Sequence, residues 1–436
     1  MNASNPMSVN SRPALMPLDV ALQALLATVE PSQIQETVST FGADGRVLAQ
    51  DLVSALDVPG HDNTSMDGYA VRVADVAAAL QSGVGLPVSQ RIPAGHAGTE
   101  LQPGSVARIF TGAPVPPGAD AVVMQEEGTP DPDTGAVRFA RVPEPGQWIR
   151  RRGEDIACGS VVLARGTRLT PAELGLAASI GYGTLAVVPR PRVALFSTGD
   201  ELVMPGTVAP EVLPPGAIYN SNRFFLRSLL ERLGAQVTDL GIVPDRREAT
   251  IEALRGAAAH NDVILTSGGV SVGEEDHIKP AVQALGELDL WALGIKPGKP
   301  FAHGRIPRDA AASEGICHFI GLPGNPVSSF VTFLLLVRPF LLQWQGALKG
   351  AATGGAAALP AGIPLPAHFA WPRADKRREF LRVRRNDAGG LDLFPNQSSG
   401  VLTSVAWADG LVDNPPGQTI QPGDVVNYLP LAGFFQ

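Results

Sequence analysis

From Arg192 onward the chain alternates between short apolar runs and longer stretches whose apolar residues recur at helical spacing. RVALFS (192–197), VTDLGIV (237–243), DVILTSGG (262–269), LWALGI (290–295) and ICHFIGLPGNP (316–326) read as strands with their following turns. SNRFFLRSLLERLG, PDRREATIEALRGAAA, HIKPAVQALG and the apolar stretch from Phe330 read as helices. This alternation predicts a mostly parallel sheet covered on both faces, a central three-layer α/β sandwich over 189–349. Upstream, MPLDVALQALLATVEP places Leu18, Ala21, Leu22 and Leu25 on one helical face, and GRVLAQDLVSALDVP reads as a strand. Residues 62–145 change to short alternations broken by glycine and proline pairs, which predicts a small β domain. RRRGEDIACGSVVLARGTRL and PAELGLAASIG supply a strand pair and a helix opened by Pro171. We expect 146–188 to rejoin 15–61 as one elongated, discontinuous domain. After a small-residue linker at 350–360, the LRVRR alternation, a turn at DAGG and the strand DVVNYLPL predict a C-terminal β barrel over 361–436.

Composition changes this picture in three ways. With 436 residues, the chain exceeds one ordinary core and should form two to four domains. Its 48 glycines and 39 prolines imply many turns, and the net charge of −8 gives no long-range attraction to nucleic acid or to an anionic membrane. Cys158 and Cys317 form no CxxC pair, so zinc ribbons and disulfide scaffolds drop out and a reducing, cytoplasmic compartment is expected. Residues 1–14 read as a polar arm and not a signal peptide. FVTFLLLVRPFLL contains Arg338 and Pro339, so it reads as a buried core helix and not a membrane span.

Candidate chemistry gathers in four loops, each following an apolar strand: STGDE, SGGVSVGEED, IKPGKP and GLPGNP. Ligands of open α/β sheets bind beyond the carboxyl ends of the strands, so the four loops should crowd one rim. Ser267, Gly268, Gly269 and Ser271 would bring backbone and hydroxyl donors, and Lys296 and Lys299 positive charge. Glu201, Glu274, Glu275 and Asp276 would bring hard oxygens. Carboxylates beside phosphate-binding backbone suit Mg²⁺, which completes its shell with water and substrate phosphates. A phosphorylated ligand held with a divalent cation is therefore expected. Each piece also has a plain structural reading: SGG as a tight turn, Asp276 as a helix cap, Asn325 in a left-handed or capping role. RRRGED (150–155) alone reads as a solvated, self-paired strand edge, and RADKRREF (373–380) as a solvated face. HDNTSMDGYAV, with His61, Asp62 and Asp67, is polar ahead of a strand, and the sequence holds no HExxH, Walker loop, nucleophile elbow or GxGxxG.

In their order and spacing, TSMDGYAV, RIFTGAPVPPGADAVVMQEE, RRRGEDI, FSTGDELV, TSGGVSVGEEDHIK, GIKPGKPF and GLPGNPVSS resemble the molybdopterin molybdenumtransferase family, which includes gephyrin's E domain. The resemblance runs from about residue 15 to the end of the chain. It implies conversion of adenylylated molybdopterin and molybdate to molybdenum cofactor and AMP, with Mg²⁺ assisting. Carried across by motif, the functional residues are Asp67, Thr111, Asp155, Glu201, Asp245 and Asp276, with Glu201, Asp245 and Asp276 toward the metal. Lys296 and Lys299 would neutralise phosphates; Pro323, Asn325 and Pro326 would shape the site; Arg150 would receive molybdate. The resemblance further implies a homodimer whose site joins the α/β domain of one subunit to the small β domain of the other. An upstream molybdopterin adenylyltransferase and downstream molybdoenzyme apoproteins or their chaperones would be its partners. His277 and Arg246 depart from the expected pattern. An adenylyltransferase, a tungstate-preferring insertase and a non-catalytic delivery scaffold stay open as alternatives.

Overall fold

A computed structural model describes residues 15–269, 277–308, 315–348 and 358–435. Its centre is a six-stranded sheet in the order Gln236–Val243, Arg192–Thr198, Val263–Ser267, Ile316–Leu322, Pro300–Pro307 and Glu287–Ala292. The first four strands are parallel, Pro300–Pro307 runs against them, and Glu287–Ala292 pairs antiparallel with Pro300–Pro307 and so runs with the first four. The alternation of side chains along each strand divides them between two cores. Val193, Leu195, Leu265 and Ile320 join one with Leu226, Leu230 and the long helix from Pro326. Ala194, Phe196, Ile264 and Phe319 join the other with Leu254, Ala258 and Val282. Helices therefore cover both faces, which is why these strands read as nearly continuous apolar runs.

One strand is added and two sequence expectations are corrected. PFAHGRIP, given no element by the alternation, forms an interior strand; its prolines stand at the two ends, where a missing N–H costs the ladder least. LWALGI ends as a strand at Ala292, and Ile295–Lys296 instead pairs with Arg378–Arg385 of the C-terminal segment. Helix Leu18–Leu26 does bury Leu18, Ala21, Leu22 and Leu25, but against the α/β core and not with the strands that follow it.

Helix Pro326–Trp344 is long and apolar enough to cross a membrane, but 89% of its apolar window is buried inside the protein. Pro339 cannot donate to a preceding carbonyl, and the helix widens into a π turn over Phe333–Val337 just before it. Arg338 is satisfied by Phe434 O (2.6 Å) and Ala358 O (3.1 Å), and burial pushes its pKa down to about 10.

Residues 36–64 and 149–187 pair through Glu36–Ser39 with Thr184–Val187, Leu52–Val53 with Val161–Leu163, and Asn63–Thr64 with Ile149–Arg150. GRVLAQDLVSALDVP contributes only a two-residue strand there, with isolated bridges at Val47, Leu48 and Val58. The inserted segment holds a four-stranded sheet ordered Val88–Ile92, Val106–Ile109, Gly68–Val71 and Ala121–Met124, and a helix, Val73–Ser82.

In the C-terminal segment the order is Ile295–Lys296, Arg378–Arg385, Gly410–Asn414, Val425–Pro430 and Ile363–Pro366, with Leu391–Leu393 also on Arg378–Arg385. A bridge from Ala367 to Leu391 carries the hydrogen bonding around a full circuit enclosing Leu381, Val383, Val412 and Tyr428. RADKRREF is solvated only in its first half, where Arg373 and Lys376 are exposed; Glu379 is 1% exposed, bonded by Lys296 Nζ (3.0 Å) and Trp371 Nε1 (2.8 Å).

Candidate active site

The rim beyond the carboxyl ends of the parallel strands holds a cavity of about 710 Å³. Ser197, Thr198 and Glu201 approach from the Arg192–Thr198 strand, Ser267 and Gly268 from Val263–Ser267, and Pro323, Asn325 and Pro326 from Ile316–Leu322. Pro300 comes from the IKPGKP loop, and Gly400 and Leu402 from the C-terminal segment. Three of the four loops thus share this cavity and the fourth touches it. Ser271 and Asp276, with Glu274 and Glu275, lie outside the described residues.

The two glycines of SGG are needed for their backbone. Gly268 and Gly269 have φ of +97° and +67°, and a Cβ on Gly269 would sit 2.5 Å from Ile278 Cδ1. The Gly268 N–H already donates to Leu322 O (3.0 Å), so the expectation that this glycine offers an anion donor is corrected. Asn325 is not left-handed (φ −61°) but does hold the N-cap position ahead of Pro326; it caps through its carbonyl, which accepts from Ser329 N (2.9 Å), and its side chain makes no capping bond.

Sequence reasoning missed the cavity's asparagines. Asn222, 8% exposed, donates from Nδ2 to Ser267 Oγ and to Gly324 O, both at 2.7 Å, and so ties two of the loops together. Asn220 Nδ2 and Ser197 Oγ also line the cavity, are buried, and have no hydrogen-bond partner in the protein. Buried polar atoms are rarely left unpaired, so these two are poised for ligand or water. The signal in sequence was YNSN (219–222), polar residues opening an otherwise apolar helix.

The lysines divide. Lys296 Nζ pairs with Glu379 (3.0 Å) and Asp375 (3.3 Å), so its charge is already met by the C-terminal segment. Lys299 is exposed. Asp245 is half-buried just past the edge strand and does not line the cavity.

A second cluster forms in the inserted segment. Thr111 N–H and Oγ1–H both donate to Asp67 Oδ1 at 2.7 Å, and these bonds, the backbone one foremost, hold the Asp67 carboxyl below the usual range. Asp67 is thus an ionised acceptor at neutral pH. Arg150 is exposed on the short strand paired with Asn63–Thr64, and Asp155 is exposed with its N–H on Val58 O (3.0 Å). The arginines of RRRGED are not self-paired: Arg151 reaches Asp62 and Arg152 reaches Asp57, each at 2.6 Å. None of Asp67, Thr111, Arg150 and Asp155 lines the rim cavity of the same chain.

Among the described residues no group of three or more His, Cys, Asp or Glu could hold a metal by itself. One or two carboxylates suffice for Mg²⁺ bound with substrate phosphates, and Glu201 supplies one at the cavity, so the residues fit that ion.

Known proteins match the chain along most of its length. Three family models match in succession: the MoeA N-terminal region (domain I and II) over 16–181, a probable molybdopterin binding domain over 194–343, and the MoeA C-terminal region (domain IV) over 364–431. The chain is 41% identical over 333 residues to the molybdopterin molybdenumtransferase of Haemophilus influenzae, covering 76% of this chain and 78% of that one. It is 35% identical over 402 residues to that of a Nostoc species, covering 91% and 88%. The crystal structure of the molybdopterin biosynthesis moeA protein of Pyrococcus horikoshii superposes with a TM-score of 0.79 at 27% identity, covering 95% of this chain and all of that one.

Proposed function

From the premise that this chain belongs to the molybdopterin molybdenumtransferase family, transferases of molybdenum cofactor biosynthesis, we propose that it inserts molybdate into adenylylated molybdopterin with Mg²⁺-dependent release of AMP. The observation that carries this reading is the rim cavity, where Ser197 and Asn220 present unpartnered polar atoms beneath loops of three of the four parallel strands.

Glu201 at the cavity, joined by Asp276 and by Asp245 from beyond the edge strand, would hold Mg²⁺, which would supply charge compensation for the diphosphate. The chain's own residues do the rest. Lys299, exposed beside the cavity loops, adds positive charge where the phosphates enter. Lys296 keeps the C-terminal segment seated through Glu379, which makes it a positioning residue. Ser197, Asn220 and Ser267 orient the ligand by hydrogen bonds, and positioning plus charge compensation is what a phosphoanhydride cleavage requires of a protein. Asp67, fixed by Thr111, and Arg150 present a second set of polar groups that complete the site from a partner subunit. A homodimer follows on this reading, since one chain's cavity lacks these groups. The C-terminal circuit reads as a small barrel and the two-faced sheet as a three-layer sandwich. An adenylyltransferase would supply the substrate, apoenzymes or their chaperones would take the product, and the cytoplasm would house all three.

The test is AMP release from purified protein loaded with adenylylated molybdopterin and Mg²⁺, with and without molybdate. AMP that appears only with molybdate supports insertion. Bound adenylate that is never cleaved would make the protein a carrier.

A further inference from the structure

Among the described residues Trp148 is the one residue other than glycine with a positive φ, +57°. The left-handed region crowds Cβ against the following carbonyl, and a bulky aromatic there is an outlier where Gly, Asn or Asp would sit with less strain. The surroundings enforce it. Ser65 donates to Trp148 O from both its N–H (3.0 Å) and its Oγ (3.1 Å), and the next two residues are held in the ladder with Asn63 and Thr64. A strained backbone that the structure takes this trouble to hold points to a task for the side chain.

Packing is not that task. Trp148 is 36% exposed, belongs to no hydrophobic core, and among the described residues has no ring or guanidinium stacked on it. Its place is specific. The Trp148 carbonyl is bonded to Ser65, two residues before Asp67; Asp67 is bonded to Thr111; Arg150 follows two residues after the indole. A flat apolar side chain thus sits on a backbone that is bonded to the segment carrying an ionised carboxylate with its hydroxyl partner, two residues ahead of an arginine. That combination matches a planar heterocycle carrying an anionic substituent: the ring stacks, and the anion meets the cation.

We propose that Trp148 is a stacking platform for one of the planar heterocycles, adenine or pterin, of the adenylylated substrate. This rests on the reading that Asp67 and Arg150 receive substrate. It makes Trp148 a binding residue that sets affinity and not the rate of bond cleavage.

The decisive variant is W148N, because asparagine tolerates the left-handed backbone and so separates ligand contact from folding. One base–aromatic stack is worth about 5- to 150-fold in affinity. W148N should therefore raise KM for adenylylated molybdopterin by that factor with kcat within about twofold, and its melting temperature should equal or exceed the parent's. W148F should stay within a few-fold of the parent. Binding is read independently by fluorescence, since the chain has five tryptophans and the parent-minus-W148F difference isolates one. AMP and a 6-substituted pterin are titrated separately: quenching by AMP assigns adenine, quenching by the pterin assigns the other ring. Quenching by neither, or an unchanged KM in W148N, overturns the proposal. So does dissociation of an oligomer in W148N, which would make the indole a subunit contact. D67A distinguishes the two levels: if D67A turns over normally, the underlying site reading fails; if D67A is impaired and W148N is normal, only the stacking role fails.

Discussion

Acid should destabilise this protein through a buried histidine pair well before its carboxylates titrate. His303 (1% exposed) and His318 (9%) stand on adjacent strands with Nε2 and Nδ1 3.4 Å apart and Thr28 Oγ1 3.4 Å from His303 Nε2. Burial, then the neighbouring His318 and Arg305, pushes His303 down to about 3; burial, then Arg305 and Arg308, pushes His318 down to about 4 against the opposing pull of Asp262. Both are neutral when folded and protonate near 6.5 when unfolded. The unfolded chain therefore binds more protons, and stability present above pH ~6.5 is lost as pH falls toward 4. Between pH 7.5 and 5 each imidazole forfeits about 2 kcal/mol, ~4 kcal/mol for the pair, on the order of 10 °C in melting temperature for an α/β unit of ~150 residues. The assay is a melting curve at each pH for the parent and for His303→Phe with His318→Leu, each referred to its own value at pH 7.5 so that repacking costs cancel. The parent should lose most of those degrees by pH 5 and the variant little. Equal losses in both would refute the assignment. Asp57, Asp62 and Asp262, all held below the usual carboxylate range, keep the window above pH 5 clear of their own titration.

Two further outcomes are expected. Asn222→Ala removes two 2.7 Å bonds and leaves Gly324 O unpaired, so it should cost about 2 kcal/mol and raise KM, with a Ser267→Ala double-mutant cycle showing ~1 kcal/mol of coupling; additive single effects would show that the loops are not tied through this side chain. Lys296→Met leaves Glu379 buried without its cation, and because Lys296 is 39% exposed we expect ~1–3 kcal/mol of destabilisation in urea, largely restored by pairing it with Glu379→Gln. A loss of activity in Lys296→Met with unchanged stability would place the lysine on the substrate instead.

The sequence by itself determined the elements whose signal is local. Helical spacing in LDVALQALL marked the four residues that are buried, Pro171 and its capping box opened a helix, and apolar runs such as RVALFS and DVILTS announced strands covered on both faces. It also placed STGDE, SGG and LPGNP on one rim, because parallel strands end on the same side whatever their order. Tertiary structure alone decided what depends on residues far apart in the chain. PFAHGRIP carries no strand signal of its own and becomes one because the Ile316 and Glu287 strands pair with it on either side. The first helix turns its apolar face to a core that begins some 170 residues later, and Lys296 finds Glu379 across 83 residues. Asn220 and Asn222 read as ordinary polar residues until folding buries them and leaves one bonded to two loops and the other with its Nδ2 unpaired. Periodicity is written in neighbouring residues, but burial and hydrogen-bond satisfaction are properties of the whole packed chain, so the rim could be read from sequence and the condition of each side chain on it could not.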